Sequence, residues 1–350
     1  MNVPNILPLV LGLILFSFFV SSLLVVPFIN LLYKIKLTRR REAMGKKKTL
    51  FEKLHDIKSG TPIGGGVLII VIVVTLFAVL FPILLNFGVF IHSSFNLFKE
   101  LLVIFFTFIS FGLLGLLDDF VKTFGKPKTG NVGAVFGLTK KQKFSIQWVL
   151  ALITAFILYQ FLGIHILHLP LLNSVIDLGI FYVPFAATVI VFFANAFNFT
   201  DGLDGLASGL LVIYLISYIF ISAGNLDTTL FMFISIWLGA IIAFLYFNVY
   251  PARVFLGDAG ALSFGSTIAL IGLLTGNVAT LFVIGGIFVI EAASSAIQII
   301  SIKFFNKRVF PLAPIHHSFL AIGWEEPKIV MRAWIAGIIL AIFGLWLAAI

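Results

Sequence analysis

The chain has 350 residues, of which 61% are hydrophobic and only 11% are charged. Soluble domains carry roughly a quarter of charged residues, so this composition excludes an ordinary soluble protein and indicates an integral membrane protein. The absence of cysteine excludes disulfides and thiolate metal sites. The net charge of +9 comes without a basic helix or an aromatic–basic module, so nucleic acid is not an expected partner.

Long apolar runs follow one another along the whole sequence. A transmembrane helix needs about 20 such residues, and the runs are continuous rather than alternating, which excludes a β-barrel. We therefore predict an all-α fold with ten transmembrane helices in a single polytopic domain over residues 1–350. The predicted limits are 6–33, 64–88, 100–117, 144–163, 180–197, 204–223, 228–247, 260–276, 278–302 and 333–350.

The distribution of basic residues predicts the orientation of these helices. If the helices alternate in direction, every lysine and arginine except Lys99 falls in loops on one face. Short loops rich in lysine and arginine stay in the cytoplasm, so this face is predicted to be cytoplasmic and both termini to lie outside. The positive charge also suits an anionic lipid or an anionic substrate. The loops on this face are 34–63, 118–143, 198–203, 248–259 and 303–332.

Two adjacent carboxylates follow the third predicted helix. Asp118 and Asp119 stand at its carboxyl end, where the helix dipole disfavours anions, so the pair is expected to have a compensating cation. Lys122, Lys126 or a metal ion could supply that charge. The alternative is a pair of ordinary interfacial charges.

The stretch NAFNFTDGLDGLASG, residues 195–209, joins the fifth and sixth predicted helices and is unusually polar for its surroundings. Thr200 or Asp201 would make a good helix cap, but capping explains only one carboxylate. The i, i+3 spacing predicts that Asp201 and Asp204 share one helix face, with Asn198 just before them. Capping alone is the competing interpretation.

Two further polar groups lie on the same face. Asp258 opens the eighth helix between small residues, and a carboxylate beside free helix N–H groups suits Mg²⁺ with phosphate. His316 and His317 follow Pro311 and Pro314 in a loop that the prolines stiffen. Such histidines can bind phosphate or sugar or move protons, and solvated loop histidines are the alternative.

Several carboxylates, lysines and histidines on one face describe a site for a polyphosphate with Mg²⁺. The sequence contains no P-loop, which argues against an ATP-driven pump. Two other groups fit less well. A metal pair of His165 and His168 would lie on the outer face, and Glu291 in the ninth helix is expected to be a packed helix–helix contact.

Five segments then match a known family in order along the chain from about residue 34. The sequence resembles the bacterial phospho-N-acetylmuramoyl-pentapeptide transferases, in the polyprenyl-phosphate N-acetylhexosamine-1-phosphate transferase superfamily. The segments are HDIKSGTPIGGG at 55–66, LLDDFVK at 116–122, NAFNFTDGLDGLA at 195–207, FNVYPARVFLGDAGALSFG at 247–265 and APIHHSF at 313–319.

This resemblance implies a ten-helix, usually dimeric enzyme of the bacterial inner (cytoplasmic) membrane that depends on Mg²⁺. The reaction is the first membrane step of peptidoglycan synthesis. Phospho-N-acetylmuramoyl-pentapeptide passes from its UDP carrier (UDP-MurNAc-pentapeptide) to undecaprenyl phosphate, giving lipid I and UMP.

The resemblance also implies roles for single residues. Asp258 would be the Mg²⁺ ligand, and Asp118 would be the base for the lipid phosphate, with Asp119 beside it as a third catalytic group. His316 and His317 would contact the substrate phosphate or sugar. The other implied substrate-binding residues are Lys58, Lys122, Asn198, Asp201, Asp204, Phe255 and Gln298.

Two departures from the family pattern leave alternatives open. The third of the family's three consecutive histidines is Ser318 here, and Ile63 follows the Gly-Thr-Pro where a hydroxyl is usual. A sibling transferase that uses UDP-N-acetylglucosamine therefore remains the second interpretation, and a secondary transporter is a remote third. Two mechanisms also remain open. The lipid phosphate attacks directly, which requires little beyond alignment and Mg²⁺ because that phosphate is already largely ionised, or an aspartate attacks first and forms a covalent intermediate.

Overall fold

The computed structural model describes residues 7–39, 58–89, 91–125, 138–172, 174–224 and 227–350. Within these residues the chain forms twelve α-helices and one antiparallel hairpin of two short strands. The helices are α1 (Leu7–Lys34), α2 (Gly65–Asn86), α3 (Leu97–Phe124), α4 (Lys140–Leu162), α5 (Tyr182–Thr200), α6 (Leu206–Gly224), α7 (Thr228–Asn248), α8 (Gly257–Leu274), α9 (Val278–Ile284), α10 (Gly286–Phe305), α11 (Ile315–Ala321) and α12 (Glu326–Ala349), and the strands are β1 (Ile166–Leu169) and β2 (Ser174–Asp177).

Ten helices in the described part of the chain are long and apolar enough to cross a membrane, as the sequence predicts. The ninth span differs from its prediction. It was expected to be continuous over 278–302, but the structure divides it at Gly285 into the short α9 and the long α10. A Cβ on Gly285 would lie 2.8 Å from the ring of Phe193, so close packing requires a glycine at this point, and consecutive glycines weaken a helix.

Two spans extend seven residues beyond their predicted limits at the end that carries the polar residues. Helix α3 continues to Phe124, so Asp118 and Asp119 lie within its last turns and not beyond its end. Helix α12 begins at Glu326, seven residues earlier than expected, because Pro327 occupies the first turn, where proline favours a helix start.

The most deeply buried helix is α8, in which sixteen of the eighteen residues are buried. It packs against α2, α3 and α5. Glycines allow the closest approaches, since a Cβ on Gly115 of α3 would lie 2.1 Å from the Asp258 carbonyl oxygen and one on Gly66 of α2 would lie 2.2 Å from the Gly260 Cα. The first turn of α8, with Asp258, is thereby fixed against two neighbouring helices.

The hairpin lies between α4 and α5, at the opposite end of α4 from its first turn. The arrangement of His165 and His168 agrees with the sequence analysis, which did not favour them as a metal pair. His168 lies within β1, which His165 precedes, and residues three apart on an extended chain point to opposite faces. His165 Nδ1 lies 2.8 Å from Asp177 Oδ1 across the hairpin and lowers the pKa of that carboxyl group.

Candidate active site

The carboxyl ends of α3, α5 and α7 and the amino ends of α2, α4 and α8 bring the polar side chains into two adjoining groups. The first, the aspartate–lysine cluster, consists of Asp118, Asp119, Lys122, Lys143 and Asp258. The second, the Lys58 pocket, is lined by Lys58, Thr61, Gly202, Leu203, Asp204, Tyr250, Pro251, Ala252, Phe255, His317, Leu320 and Glu326.

Two carboxylates of the aspartate–lysine cluster share two ammonium groups. Lys122 Nζ lies 3.0 Å from Asp118 Oδ2 and 2.7 Å from Asp258 Oδ2. Lys143 Nζ lies 3.0 Å from Asp118 Oδ2 and also contacts Asp258 Oδ2. The Leu138 backbone N–H donates to Asp118 Oδ1 at 2.8 Å. The cation predicted beside Asp118 is thus supplied by Lys122, as expected, together with Lys143, and the other predicted lysine, Lys126, lies outside the described residues.

Asp119 faces away from its neighbour Asp118 and caps the amino end of α8. The N–H groups of Asp258 and Ala259 donate to its two oxygens at 3.0 and 3.1 Å. Gly257, at φ +75°, makes room for this contact, because a Cβ there would lie 2.6 Å from Asp119 Oδ2. The structure therefore gives Asp119 a direct part in positioning Asp258, and its part in the chemistry stays a prediction.

Sequence reasoning missed Lys143. It stands in the basic run Lys140–Lys143, which resembles a solvated helix start. A reciprocal capping box between Thr139 and Gln142 fixes the first turn of α4, and this turns the half-buried Lys143 toward the carboxylates while Lys140 remains exposed. The capping pattern was the signal available in the sequence.

The turn at 201–205 differs from the prediction of a shared helix face. Helix α5 ends at Thr200 with Asp201 as its C-cap, and α6 begins only at Leu206, so Asp201 and Asp204 lie in a non-helical turn. Gly205, at φ +79°, belongs to that turn. Neither carboxylate caps the amino end of α6, so the capping interpretation does not account for them.

A buried ion-pair network closes one side of the Lys58 pocket. Lys58 Nζ lies 2.5 Å from Asp204 Oδ1 and 2.5 Å from Glu326 Oε1. Glu326 Oε1 also accepts the Asp204 N–H at 2.6 Å, and Asp204 Oδ2 accepts the Ala252 N–H at 2.9 Å. Glu326, at the start of the last helix, was missed because nothing in the sequence relates it to Lys58.

Phe255 forms an aromatic wall of this pocket, which has a volume of about 270 Å³. Its ring centre lies 5.9 Å from Lys58 Nζ and 5.8 Å from the guanidinium carbon of Arg39. Its backbone N–H donates to the Pro62 carbonyl at 2.9 Å, and its carbonyl accepts the Gly65 N–H at 2.9 Å. The Gly-Thr-Pro segment therefore aligns Lys58 and Phe255 through backbone pairing.

Asp201 feels the charges of both the aspartate–lysine cluster and the Lys58 pocket. Burial and the nearby Asp258 carboxylate raise its pKa to about 7, against the opposing charges of Arg39 and Lys58. A carboxyl group with a pKa of about 7 is partly protonated at neutral pH, and such shifted groups are typical of functional sites.

The two histidines lie on the short helix α11 and not in an open loop as predicted. His316 is buried, and its Nδ1 lies 2.9 Å from Oε2 of Glu291, which was expected to be a simple helix contact. His317 lines the Lys58 pocket. Ser318 Oγ accepts the Leu312 N–H at 3.3 Å and also contacts the Leu312 carbonyl, so it bonds within its own loop.

Gln298 and Asn198 are predicted binding residues that are absent from the pocket lining. Gln298 accepts the N–H groups of Val309 and Phe310 at 3.1 and 3.0 Å and donates to the Phe310 carbonyl at 3.0 Å, so it supports the segment before α11. Asn198 is half-buried in the last turn of α5, three residues before Asp201. Substrate contact by either side chain stays a prediction.

The candidate metal ligands are few. Within the described residues, no three histidine or carboxylate side chains converge as a complete metal site. Asp118 Oδ2 and Asp258 Oδ2 do converge on the same cationic groups, which shows that their arrangement favours positive charge. One or two carboxylates completed by phosphate oxygens is the ligand set that Mg²⁺ prefers, so the donors fit a metal that arrives with substrate.

Comparisons with known proteins all point to one family of transferases. The sequence model of Glycosyl transferase family 4 matches residues 101–276. The chain is 37% identical over 343 residues to a phospho-N-acetylmuramoyl-pentapeptide-transferase of Geobacillus sp. (strain WCH70), with 97% of each chain covered. It is 33% identical over 338 residues to the proteins of that name from Bacillus pumilus and Bacillus subtilis (strain 168), again with 97% of each chain covered.

Proposed function

Because the chain belongs to Glycosyl transferase family 4, and within it to the phospho-N-acetylmuramoyl-pentapeptide-transferases, we propose that it catalyses the reaction in that name. It transfers phospho-N-acetylmuramoyl-pentapeptide from UDP to undecaprenyl phosphate and produces lipid I and UMP. The observation that carries this proposal is that the aspartate–lysine cluster and the Lys58 pocket adjoin. Phe255 lines the pocket, and Asp258, three residues later in the chain, belongs to the cluster.

The nucleotide part of the substrate fits the Lys58 pocket. The Phe255 ring offers a flat face for a base, and Lys58 and the nearby Arg39 supply positive charge beside it. Asp201 and Asp204 lie on the turn next to this wall, where their oxygens can accept hydrogen bonds from ribose or base, and Asn198 precedes them. His317 lines the same pocket and is placed for a phosphate or sugar.

In the proposed reaction an oxygen of the lipid phosphate attacks the β-phosphorus of the UDP-sugar. A new phosphorus–oxygen bond forms, the bond from that phosphorus to the bridging oxygen breaks, and UMP leaves with the bonding electron pair. Lys122 and Lys143 neutralise charge on the phosphates, and Asp118 accepts the remaining proton of the lipid phosphate.

The contacts of Asp118 and Asp258 favour direct attack over an aspartyl intermediate. Asp118 is bound by two ammonium groups and one N–H, and Asp258 by two ammonium groups. Ammonium groups that stabilise the negative charge of a carboxylate make it a poor nucleophile toward phosphorus, whereas Asp118 Oδ1, which accepts the Leu138 N–H and is not the oxygen bound by the lysines, can still take up a proton. Positioning and electrostatic stabilisation are the contributions that such a site makes to phosphoryl transfer.

We further propose that Mg²⁺ is required and that Asp258, with Asp118 beside it, would hold it. When bound, the ion supplies Lewis-acid stabilisation of the charge that develops on the phosphate oxygens.

The membrane placement follows from the same proposal. Both substrates meet at the cytoplasmic face of the bacterial inner membrane, where the nucleotide-sugar is available and the lipid phosphate is anchored. The concentration of lysine and arginine on the side of the aspartate–lysine cluster supports this orientation. A homodimer is proposed from the resemblance to the family alone.

The competing functions fit less well. A transporter places its polar groups near the middle of the membrane, whereas these clusters occupy helix ends at one side of the bundle. Neither departure favours the sibling transferase that uses UDP-N-acetylglucosamine. Ile63 is engaged through its backbone, donating to the Leu37 carbonyl at 3.0 Å, and the Ser318 hydroxyl bonds to Leu312 within its loop.

A release assay tests the proposed function. The purified protein in detergent and lipid would receive Mg²⁺, undecaprenyl phosphate and either UDP-N-acetylmuramoyl-pentapeptide or UDP-N-acetylglucosamine, and UMP would be followed. We expect UMP from the muramoyl substrate only, and its loss in Asp258→Ala. Release from the N-acetylglucosamine substrate only would assign the chain to the sibling activity, and release from neither would refute the proposal.

A further inference from the structure

A buried histidine–carboxylate pair lies behind the Lys58 pocket. The His316 and Glu291 side chains are 1% and 5% exposed, and His316 Nδ1 lies 2.9 Å from Glu291 Oε2. A carboxylate at this distance accepts a hydrogen bond from Nδ1, which fixes the imidazole tautomer and the plane of the ring. Burial of a carboxylate is costly without such a partner, so the pair calls for a functional explanation.

The segment around this pair is held in place at several points. The Ser294 and Ser295 hydroxyls donate to the Glu291 carbonyl at 2.8 and 3.1 Å, and Ser294 Oγ accepts the Ile315 N–H at 3.0 Å. Helix α10 thus attaches to the start of α11 through backbone and hydroxyl contacts that do not require the Glu291 carboxylate. The Glu291 carboxylate adds one long backbone contact to this link, from the His316 N–H at 3.5 Å, and the Ser294 contact with Ile315 remains without it.

The other ring nitrogen of His316, Nε2, faces the turn at Gly202. A Cβ built on Gly202 would lie 2.4 Å from His316 Nε2, and Gly202 lines the Lys58 pocket between Asp201 and Asp204. This nitrogen is buried and has no hydrogen-bond partner among the described residues. Only a residue without a side chain permits this approach, so the ring is directed at the turn where a ligand would complete its bonding.

We propose that Glu291 is a positioning residue for nucleotide diphosphate binding. It holds His316 through its Nδ1–H, and when a phosphate binds, the ring takes up one proton from solvent at Nε2, which then donates to a phosphate oxygen at the Gly202 turn. This inference rests on the proposed function, since it assumes that a nucleoside diphosphate occupies the Lys58 pocket.

Two ligands separate this role from a structural one. UDP carries the phosphates that His316 would contact, and uridine lacks them. A carboxylate that merely stabilises the fold would affect both ligands alike when it is removed, whereas a carboxylate that acts through Nε2 on phosphate affects UDP alone. The ratio of the two affinities is therefore the informative quantity.

The experiment measures UDP and uridine binding by calorimetry in detergent with Mg²⁺ for the unchanged protein and three variants. Glu291→Gln keeps a hydrogen-bond acceptor but loses the charge, and Glu291→Asp keeps the charge. Glu100→Gln is the matched control, because Glu100 is also a fully buried carboxylate but lies at the other end of the helix bundle.

We expect Glu291→Gln to weaken UDP binding about tenfold, by analogy with the lower end of the loss seen when a metal-binding histidine loses its carboxylate partner. Uridine binding should stay unchanged, Glu291→Asp should restore part of the UDP affinity, and Glu100→Gln should alter neither. Equal weakening of both ligands, or unchanged UDP binding in Glu291→Gln, would overturn the inference alone. If the unchanged protein bound no UDP, the proposed function itself would be overturned.

Discussion

At the scale of single residues, the site works by sharing charges between carboxylates and lysines. Asp118 and Asp258 come from separate helices and contact the same two ammonium groups. The aspartates could be found from sequence, because a carboxylate next to an apolar run is conspicuous. For Lys143 the only signal in the sequence was the capping pattern of Thr139 and Gln142, and for Glu326 there was none, because charged residues at helix starts are common.

Replacement of Lys143 by glutamine tests its part in the cluster. We expect UMP release to fall about 100-fold, as for loss of one charged donor that stabilises a transition state. Lys140→Gln removes a charge from the same helix turn, but that side chain is exposed and should leave the rate unchanged. Equal rates for the two variants would show that Lys143 is only an interfacial charge.

Asp201 predicts a pH effect on stability. Its pKa of about 7 in the folded state lies above the ordinary value of 3.8, so between these values the folded chain binds a proton that the unfolded chain has lost. The free energy of unfolding therefore falls as pH rises from about 4 to 7, and this loss is complete above pH 7. Asp201→Asn removes that dependence.

The check is thermal unfolding of the unchanged protein and Asp201→Asn in detergent without substrate, at pH 5 and pH 8. The variant should gain about 1 kcal/mol relative to the unchanged protein between the two pH values, or about 2 °C, because solvent screens part of the shift at a half-buried group. A difference in Tm that does not change with pH would contradict the raised pKa.

At the scale of helices and turns, the hydrophobic runs determine where the ten spans lie. Glycines accompany two departures from the predicted helices, the division at Gly285 and the turn at 201–205. The ten spans follow from apolar length, which the bilayer imposes directly. The division at Gly285 and the turn at 201–205 depend on neighbours distant in sequence. Periodicity within one segment contains no information about Phe193 approaching Gly285, so these features were not predictable from it.

Gly115 provides a test of this close packing. A methyl group there would lie 2.1 Å from the Asp258 carbonyl oxygen, so Gly115→Ala must displace the first turn of α8. We expect a loss of about 2 kcal/mol in stability together with a large loss of UMP release. Gly12→Ala in α1, where no atom lies within 4 Å of the added carbon, should be neutral in both measurements. If both variants kept full activity, the approach of α3 to α8 would not matter for the site.

At the scale of the whole molecule, the basic residues and the candidate site lie on the same side of the helix bundle. The clusters, the basic helix ends and α11 share one side, and the β1–β2 hairpin lies on the other. The sequence predicted this grouping from lysine and arginine alone. It could not predict which of the polar groups touch, because contact depends on distances between helices rather than on which side they end.

The absence of cysteine makes the orientation directly measurable. Leu171→Cys, exposed at the hairpin, should react with a membrane-impermeant maleimide in right-side-out vesicles. Lys140→Cys, exposed at the start of α4, should react only in inside-out vesicles. The unchanged chain should show no labelling in either preparation, and the reverse pattern would place the site outside the cell.

The contact between Lys58 and Glu326 has a consequence for how the enzyme comes into existence. The ribosome makes Lys58 early and Glu326 near the end, with eight of the ten spans threaded into the bilayer between them. A nascent chain halted after α8 already holds Asp204 and all three aspartates of the cluster, but it lacks the second carboxylate that pairs with Lys58. The Lys58 pocket is therefore complete only after the tenth span begins to be made, so an interrupted chain carries the aspartate–lysine cluster beside an unfinished pocket.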